Sequence, residues 1–204
     1  MQIEASALAV ERSGRIIFTN IEFRLAAGEA LLVTGPNGAG KSSLLRAIAG
    51  LLPLAEGRIV VTPEGGRVGE LSHYVGHADA LKPSLTVYEN LAFWAALLAT
   101  GAAAGAPETR IETALARVGL ARIADLPAAY LSAGQKRRAA LARLLAVHRP
   151  LWLLDEPATA LDAASQKALA AMMKAHLDEG GLIIAATHAP LGLPARELAL
   201  GAAA

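Results

Sequence analysis

A glycine-rich segment, residues 35–42, limits the folds open to this chain more than any other feature of its sequence. It reads Gly-Pro-Asn-Gly-Ala-Gly-Lys-Ser, follows a short apolar run at residues 29–34, and leads into residues 41–52, where leucines recur at helical spacing. This pattern is typical of loops that bind phosphate through backbone N–H groups and a helix N-terminus. A strand, such a loop and a helix in this order predict an α/β layer fold.

The residue types in this loop fit a nucleoside triphosphate. Triphosphate carries several negative charges, and a glycine-rich backbone can surround them with N–H donors. We expect Lys41 to contact the β- and γ-phosphates and the Ser42 hydroxyl to bind Mg²⁺. A simple turn is the alternative, which the Lys-Ser pair and the flanking elements disfavour. The sequence therefore predicts ATP and Mg²⁺ as ligands, bound by Gly35, Pro36, Asn37, Gly38, Ala39, Gly40, Lys41, Ser42 and Ser43.

Two carboxylates and a histidine follow later apolar runs. Asp155 and Glu156 end the run at residues 151–154, and His188 follows the run at residues 182–187. We expect Asp155 to hold Mg²⁺ through water and Glu156, on the other side of the strand, to take the proton of the attacking water. His188 would lie at the sheet edge where open α/β sheets bind ligands, so we expect it to contact the γ-phosphate. The alternatives are a solvated strand end for the two carboxylates and a structural role for the histidine.

Apolar periodicity predicts the other elements. A pair of strands is expected to join through a turn at residues 63–66, and residues 101–107 are expected to form a flexible loop. Continuous apolar runs suit parallel strands that are buried on both faces. Strands are predicted at residues 7–10, 15–25, 58–62, 68–75, 151–154 and 182–186, and helices at 87–98, 108–118, 163–177 and after Ser132.

Composition excludes several kinds of protein. The formal net charge is +1, which gives no overall attraction to nucleic acid, so nucleic acid is not an expected partner. Cysteine is absent, which excludes disulfides and thiolate chemistry. Mean hydropathy is +0.40, yet the best candidate membrane span, residues 91–106, is too short. The first residues lack the pattern of a secretory signal, so we expect the chain on the cytosolic side of the membrane.

The segment Leu131-Ser-Ala-Gly-Gln135 adds a second helix start. Ser132 can cap this helix, and Gln135 three residues later completes a capping box. The N-terminus of this helix is expected to be an anion site with no phosphate of its own. On these residues alone, a well-capped helix without a binding role is the favoured interpretation. The basic residues 136–138 that follow are expected on a solvated face.

The chain resembles the ABC ATPases over essentially its whole length. The features that carry the resemblance occur in the order seen in that family: the phosphate loop, this segment, the acid pair, Asp162 and His188. The resemblance implies one P-loop domain over residues 1–204, with a mostly parallel core sheet, an N-terminal antiparallel β subdomain and an inserted helical subdomain near residues 82–148. It also implies that a second copy of the chain completes each site. Residues placed at that shared site are Ser132, Gly134, Gln135 and Asp162.

Two positions depart from the family pattern. His77 stands where the family usually has a glutamine that contacts Mg²⁺ and senses the membrane partner, so either imidazole keeps that role or the coupling differs. Arg12 stands where an aromatic residue commonly stacks on adenine. A guanidinium plane can stack on a base but is held less rigidly, which predicts modest base selectivity.

Residues 75–91, 130–138 and 188–193 resemble the ATP-binding subunits of the haem-exporter type used in cytochrome c maturation. The resemblance implies an integral membrane permease subunit, other cytochrome c maturation proteins and a second copy as partners, and a peripheral location on the cytoplasmic face of the bacterial inner membrane. Two alternatives stay open: the subunit of another small-substrate ABC transporter, and a soluble ABC ATPase. The latter usually has two ATPase units or a long coiled coil, and 204 residues hold neither.

Overall fold

The computed structural model describes residues 1–63, 67–98, 108–188 and 191–201. The loop predicted at residues 101–107 lies outside these ranges, and so does the turn predicted at 63–66 apart from Pro63. In chain order the elements are β1 (Gln2–Arg12), β2 (Arg15–Ala26), β3 (Ala30–Thr34), α1 (Lys41–Ile48), β4 (Glu56–Thr62), α2 (Val68–Leu71), β5 (Ser72–Val75), α3 (Val87–Leu98), α4 (Glu108–Arg117), α5 (Ala133–Ala146), β6 (Leu151–Asp155), α6 (Ala163–Asp178), β7 (Leu182–Ala186) and β8 (Arg196–Ala199).

The chain divides into two compact units. The first consists of Met1–Gly76, Arg149–Pro157 and Ala170–Ala204, and the second of His77–His148 and Ala158–Leu169. None of the described helices is both long and apolar enough to cross a membrane.

The first unit contains both sheets. An antiparallel sheet has the strand order β2-β1-β4, and a parallel sheet has the order β5-β6-β7-β3-β8. Every residue of β6 and β7 is buried, as expected for strands covered on both faces. Leu44, Leu45 and Ile48 of α1 are buried in the same core as these strands. The predicted fold class, a mostly parallel core sheet with an antiparallel β part, is confirmed.

Helix α1 ends earlier than predicted, at Ile48 rather than at residue 52. Gly50 has φ of 72°, its N–H donates to Ala47 O across 3.0 Å, and the N–H of Leu51 donates to Arg46 O across 2.8 Å. This pair of bonds is the Schellman arrangement, which glycine permits because it has no Cβ.

The predicted pairing of residues 58–62 with residues 68–75 is wrong. β4 pairs with β1 in the antiparallel sheet, residues 68–71 form α2, and β5 pairs with β6 in the other sheet. The buried Arg149 supports the corner between α2 and β5, because its Nη1 donates to Gly69 O and Ser72 O across 2.9 and 2.7 Å. Four residues are too few for helical periodicity to appear in the sequence.

In the second unit, buried polar side chains form an ion pair and hydrogen bonds with the segment that follows His77. Arg137 forms an ion pair with Asp79 at 3.3 Å, and its side chain is only 4% exposed. Asn90 is 2% exposed and accepts from Lys82 N across 2.7 Å. The expectation that residues 136–138 form a solvated face is therefore wrong for Arg137, whose charge is satisfied inside the unit.

Candidate functional site

The phosphate loop lies between β3 and α1 and depends on backbone conformations that favour glycine. Gly35, Gly38 and Gly40 have φ values of 136°, 84° and 97°. A Cβ at Gly40 would lie 2.7 Å from Ile17 Cγ2, and one at Gly35 would meet Leu200 O. Space and conformation together therefore require glycine at two of the three positions.

The side chain of Lys41 contacts the backbone of this loop. Its Nζ donates to Gly35 O across 2.7 Å and to Pro36 O across 3.0 Å, and it lies 3.2 Å from His188 Nε2. The residue is 9% exposed. The loop thus holds an ammonium group against its backbone carbonyls, which suits an anion with several oxygens.

Ser42 and Asp155 meet as the sequence predicts. Ser42 Oγ donates to Asp155 Oδ1 across 3.0 Å, and Asp155 is 3% exposed. Tyr74 also reaches this carboxylate, with Oη 3.5 Å from Oδ2. Burial raises the pKa of the Tyr74 phenol, so the hydroxyl keeps its proton at neutral pH and acts as a donor to a carboxylate.

Glu156 leaves the strand that carries Asp155. β6 ends at Asp155, and Glu156 has φ of 48° while its N–H donates to Ala186 O across 2.8 Å. The expectation that Glu156 follows the alternation of the strand is therefore wrong, since a turn sets its direction. Its side chain is 29% exposed, and Oε1 lies 3.9 Å from His188 Nε2.

His188 follows β7 and joins the loop through a contact that the sequence does not predict. Its Nε2 lies 3.0 Å from Asn37 Oδ1, in addition to the contact with Lys41. Asn37, which is predicted to bind nucleotide as part of the phosphate loop, thus also links this loop to His188. No spacing rule could reveal this, because the two residues are 151 positions apart.

The loop, the two carboxylates and His188 line one cavity of about 370 Å³. Its walls include Asn37, Gly38, Gly40, Lys41, Ser42, Ser43, Asp155, Glu156 and His188. Arg12, at the end of β1, also lines it, as the family comparison in the sequence suggests, and so does Ile17 of β2. Ile17 is not among the residues that the sequence predicts at the site, although its place in β2, which pairs with the strand that carries Arg12, could have suggested it.

The remaining predicted site residues belong to the second unit. Ser132 caps α5, since its Oγ accepts from Gln135 N across 3.2 Å and Gln135 Oε1 accepts from Ser132 N across 2.8 Å. The predicted capping box is confirmed. A Cβ at Gly134 would lie 3.0 Å from Ala160 O, so this glycine permits a close approach of backbone.

Asp162 and His77 are the last two predicted site residues of the second unit. Asp162 Oδ1 accepts from Ser165 N across 2.7 Å at the start of α6, and this backbone hydrogen bond lowers the pKa of the carboxyl. His77 is exposed at the beginning of the second unit. Their functions at a nucleotide site stay predictions.

Comparison with known proteins agrees with this geometry. The model of the ABC transporter family matches residues 18–159. The chain is 55% identical over 208 residues to the cytochrome c biogenesis ATP-binding export protein CcmA of Rhodopseudomonas palustris strain BisB5, and 53% identical over 208 residues to the protein of that name from Nitrobacter winogradskyi. Each match covers 100% of both chains. A solved structure of the ATP-binding subunit of an ABC transporter superposes with a TM-score of 0.82 at 26% identity, over 92% of this chain and 80% of that one.

The phosphate loop after β3 and the two carboxylates at the end of β6 define the class of P-loop ATPases. Within that class the chain belongs to the ABC transporter family, among its cytochrome c biogenesis ATP-binding export proteins. It is therefore an ABC-type ATPase that binds nucleotide. The family predicted from the sequence is confirmed, and the matches favour it over the two alternatives that the sequence left open.

Proposed function

We propose that this chain hydrolyses Mg-ATP to drive haem handling in c-type cytochrome biogenesis, as the ATP-binding subunit of an ABC transporter. One observation carries the proposal: Ser42 and Asp155 are hydrogen-bonded at 3.0 Å beside the buried Lys41. These are the groups that phosphoryl transfer in P-loop proteins requires together. The cytochrome c part is supported by two relatives at 53% and 55% identity over their whole length.

In this proposal, the loop and Lys41 bind the phosphates. The N–H groups at the start of α1 and the ammonium of Lys41 would surround the β- and γ-phosphates. Gly35 O and Pro36 O now accept from Lys41, and phosphate oxygens would compete with them for the same protons. Arg12 and Ile17 line the cavity, and in this proposal they would contact the base.

The donor set fits Mg²⁺. This ion takes oxygen ligands and in nucleotide sites is held by one or two carboxylates together with phosphates. Ser42 and Asp155 supply a hydroxyl and a carboxylate, and in the described part of the chain no group of three or more His, Cys, Asp or Glu side chains could hold a metal unaided. Ser42 and Asp155 would hold the ion, and His77 would be a further contact. When bound, Mg²⁺ would offset the charge of the phosphates.

Glu156 is the proposed general base. Its carboxylate lies at the cavity and is partly solvated, so it can orient a water and accept its proton. His188 would hold the γ-phosphate from the side of the loop, together with Lys41. Phosphoryl transfer needs no covalent intermediate, because positioning and charge stabilisation supply most of the rate.

The second unit would serve the site of another copy. We propose that Ser132, Gly134 and Gln135 of one chain approach the γ-phosphate bound by its partner, with Asp162 in the adjoining loop. Ser132 Oγ accepts from Gln135 N, and a hydroxyl that accepts can still donate its own proton to phosphate. In this scheme residues 1–204 act as one ATPase domain, with residues near 82–148 as its helical subdomain.

The further partners are proposals of the same kind. An integral membrane permease subunit would dock this chain at the cytoplasmic face of the bacterial inner membrane, with other cytochrome c maturation proteins in the same complex. Purification from membranes tests this directly. A multi-span subunit and a haem-binding protein should co-purify, and their absence would contradict the proposal.

The test of function uses a bacterium whose own relative of this chain is deleted. The wild-type chain should restore haem-stained c-type cytochromes. Glu156→Gln should not, because loss of a general base lowers turnover by about 10²- to 10⁴-fold. Glu179→Gln, an exposed residue outside the cavity, is the matched control and should restore them. Full restoration by Glu156→Gln would disprove the proposed role.

A further inference from the structure

Asp155 is contacted at both oxygens of its carboxylate. Ser42 Oγ donates to Oδ1 across 3.0 Å, and Tyr74 Oη donates to Oδ2 across 3.5 Å, the long end of the range. The two donors come from different elements, α1 and β5. Asp155 itself is 3% exposed, and hydrogen bonds to a buried carboxylate are stronger than those in bulk water.

Arg46 sets the direction of the Tyr74 hydroxyl. Arg46 Nε can only donate, and it lies 3.2 Å from Tyr74 Oη. The phenol oxygen therefore accepts from Arg46, which leaves its own proton for Asp155. Arg46 follows Ser42 by four residues on α1, so both lie on one face of the helix. One helix face thus supports Asp155 twice, directly through Ser42 and indirectly through Tyr74.

The phenol ring lies close to the backbone of Gly76. A Cβ at Gly76 would lie 3.0 Å from both Cε1 and Oη of Tyr74. That separation is tighter than ordinary van der Waals contact, so any larger residue would press on the hydroxyl. Glycine at this position keeps the space that the ring occupies.

We propose that Tyr74 is a positioning residue of the metal site: its hydroxyl fixes the orientation of the Asp155 carboxylate, so that the opposite oxygen and Ser42 face the ion. The inference rests on the proposed role of Asp155 in holding Mg²⁺. Mg²⁺ demands near-octahedral geometry, so a carboxylate that can rotate binds it less well. Groups that orient a metal ligand are worth about 10- to 100-fold in metal affinity.

The test measures binding of AMP-PNP to the full chain by calorimetry, once with Mg²⁺ and once with EDTA. The ratio of the two affinities is the gain due to the ion. Tyr74→Phe removes only the hydroxyl and should reduce this gain about tenfold, while the affinity in EDTA stays unchanged. Gly76→Ala should reduce it in the same direction, because the added methyl group displaces the hydroxyl.

Two further variants separate the possible failures. Tyr88→Phe, a tyrosine of the second unit, should keep the wild-type gain, and Asp155→Asn should lose nearly all of it. If Asp155→Asn loses the gain but Tyr74→Phe keeps it, the inference is wrong and the proposed metal site stands. If both keep it, the metal site itself is wrong. An equal loss of affinity with and without Mg²⁺ in Tyr74→Phe would show a structural role and would also overturn the inference.

Discussion

Helices α1 and α5 both begin at segments that the proposed site uses, yet their N-termini are built differently. The N-cap of α1 is Gly40, with φ of 97° and no side chain that could cap the helix. The N-cap of α5 is Ser132, which forms a reciprocal capping box with Gln135. The first N–H groups of α1 thus depend on a ligand or solvent, whereas two N–H groups at α5 are satisfied by the chain itself.

This difference supports the proposal that one chain carries two unlike halves of a site. A helix end that relies on glycine, with Lys41 beside it, is suited to bind triphosphate within its own chain. A helix end already satisfied by Ser132 and Gln135 keeps its shape without phosphate, and so can act on a nucleotide that another chain holds. The first half should control affinity, and the second should control turnover.

The largest expected effect comes from a matched pair of glycine substitutions. Gly40→Ala places a Cβ 2.7 Å from Ile17 at a positive φ, so it should weaken nucleotide affinity by about tenfold or more. Gly134→Ala places a Cβ 3.0 Å from Ala160 O at a helix start that needs no positive φ. It should leave affinity for nucleotide unchanged and lower the rate of hydrolysis. Calorimetry and phosphate release separate the two, and a similar loss of affinity in both variants would break the comparison.

A smaller effect is expected from the cap of α5. Ser132→Ala should lower the free energy of unfolding by about 0.5–2 kcal/mol, because an N-cap hydrogen bond is lost. Ser132→Asp should restore most of this stability, and Ser84→Ala, in an exposed loop, is the control. Urea unfolding followed by circular dichroism measures the change. If Ser132→Ala is as stable as the wild type, the capping box does not support the helix.

The smallest effect concerns base selectivity on the α1 side. With Arg12 at the cavity, ATP and GTP should be hydrolysed at comparable rates. Arg12→Tyr should raise the preference for ATP about threefold, since an aromatic ring stacks on a base in a better-defined position. Competition between the two nucleotides in a hydrolysis assay gives the ratio. A strong ATP preference in the wild type would show that Arg12 does not set selectivity.

Much of the site could be predicted because its chemistry is local in sequence. The loop at residues 35–42 and the capping box at Ser132 depend on spacings of a few residues, and both are found as expected. The contacts of Asn37 with His188 and of Tyr74 with Asp155 join residues 151 and 81 positions apart. These pairs of residues become neighbours because of the order of strands in the parallel sheet, and no sequence motif predicts that order.

The error in the bounds of β1 has a local origin. β1 was predicted only at residues 7–10, yet it begins at Gln2. Ala7 has φ of 50°, and the register with β2 shifts between Ala5 and Leu8, so the alternation of buried residues changes phase within the strand. A rule that counts period-two alternation loses the strand at such a bulge. Gly57 of β4 lies against Ala7 O at this point, a close approach that a side chain would prevent.

In the proposed dimer each site is shared between two chains, one providing the N-terminus of α1 and the other the N-terminus of α5. Mixing two inactive variants tests this arrangement: Lys41→Ala removes the phosphate-binding ammonium, and Gly134→Asp places a carboxylate where the partner's γ-phosphate would lie. A mixed dimer has one site with both halves intact, so the mixture should hydrolyse ATP although neither variant does so alone. If the mixture stays inactive while the two variants demonstrably associate, or if Gly134→Asp alone keeps wild-type turnover, the two halves do not meet across chains.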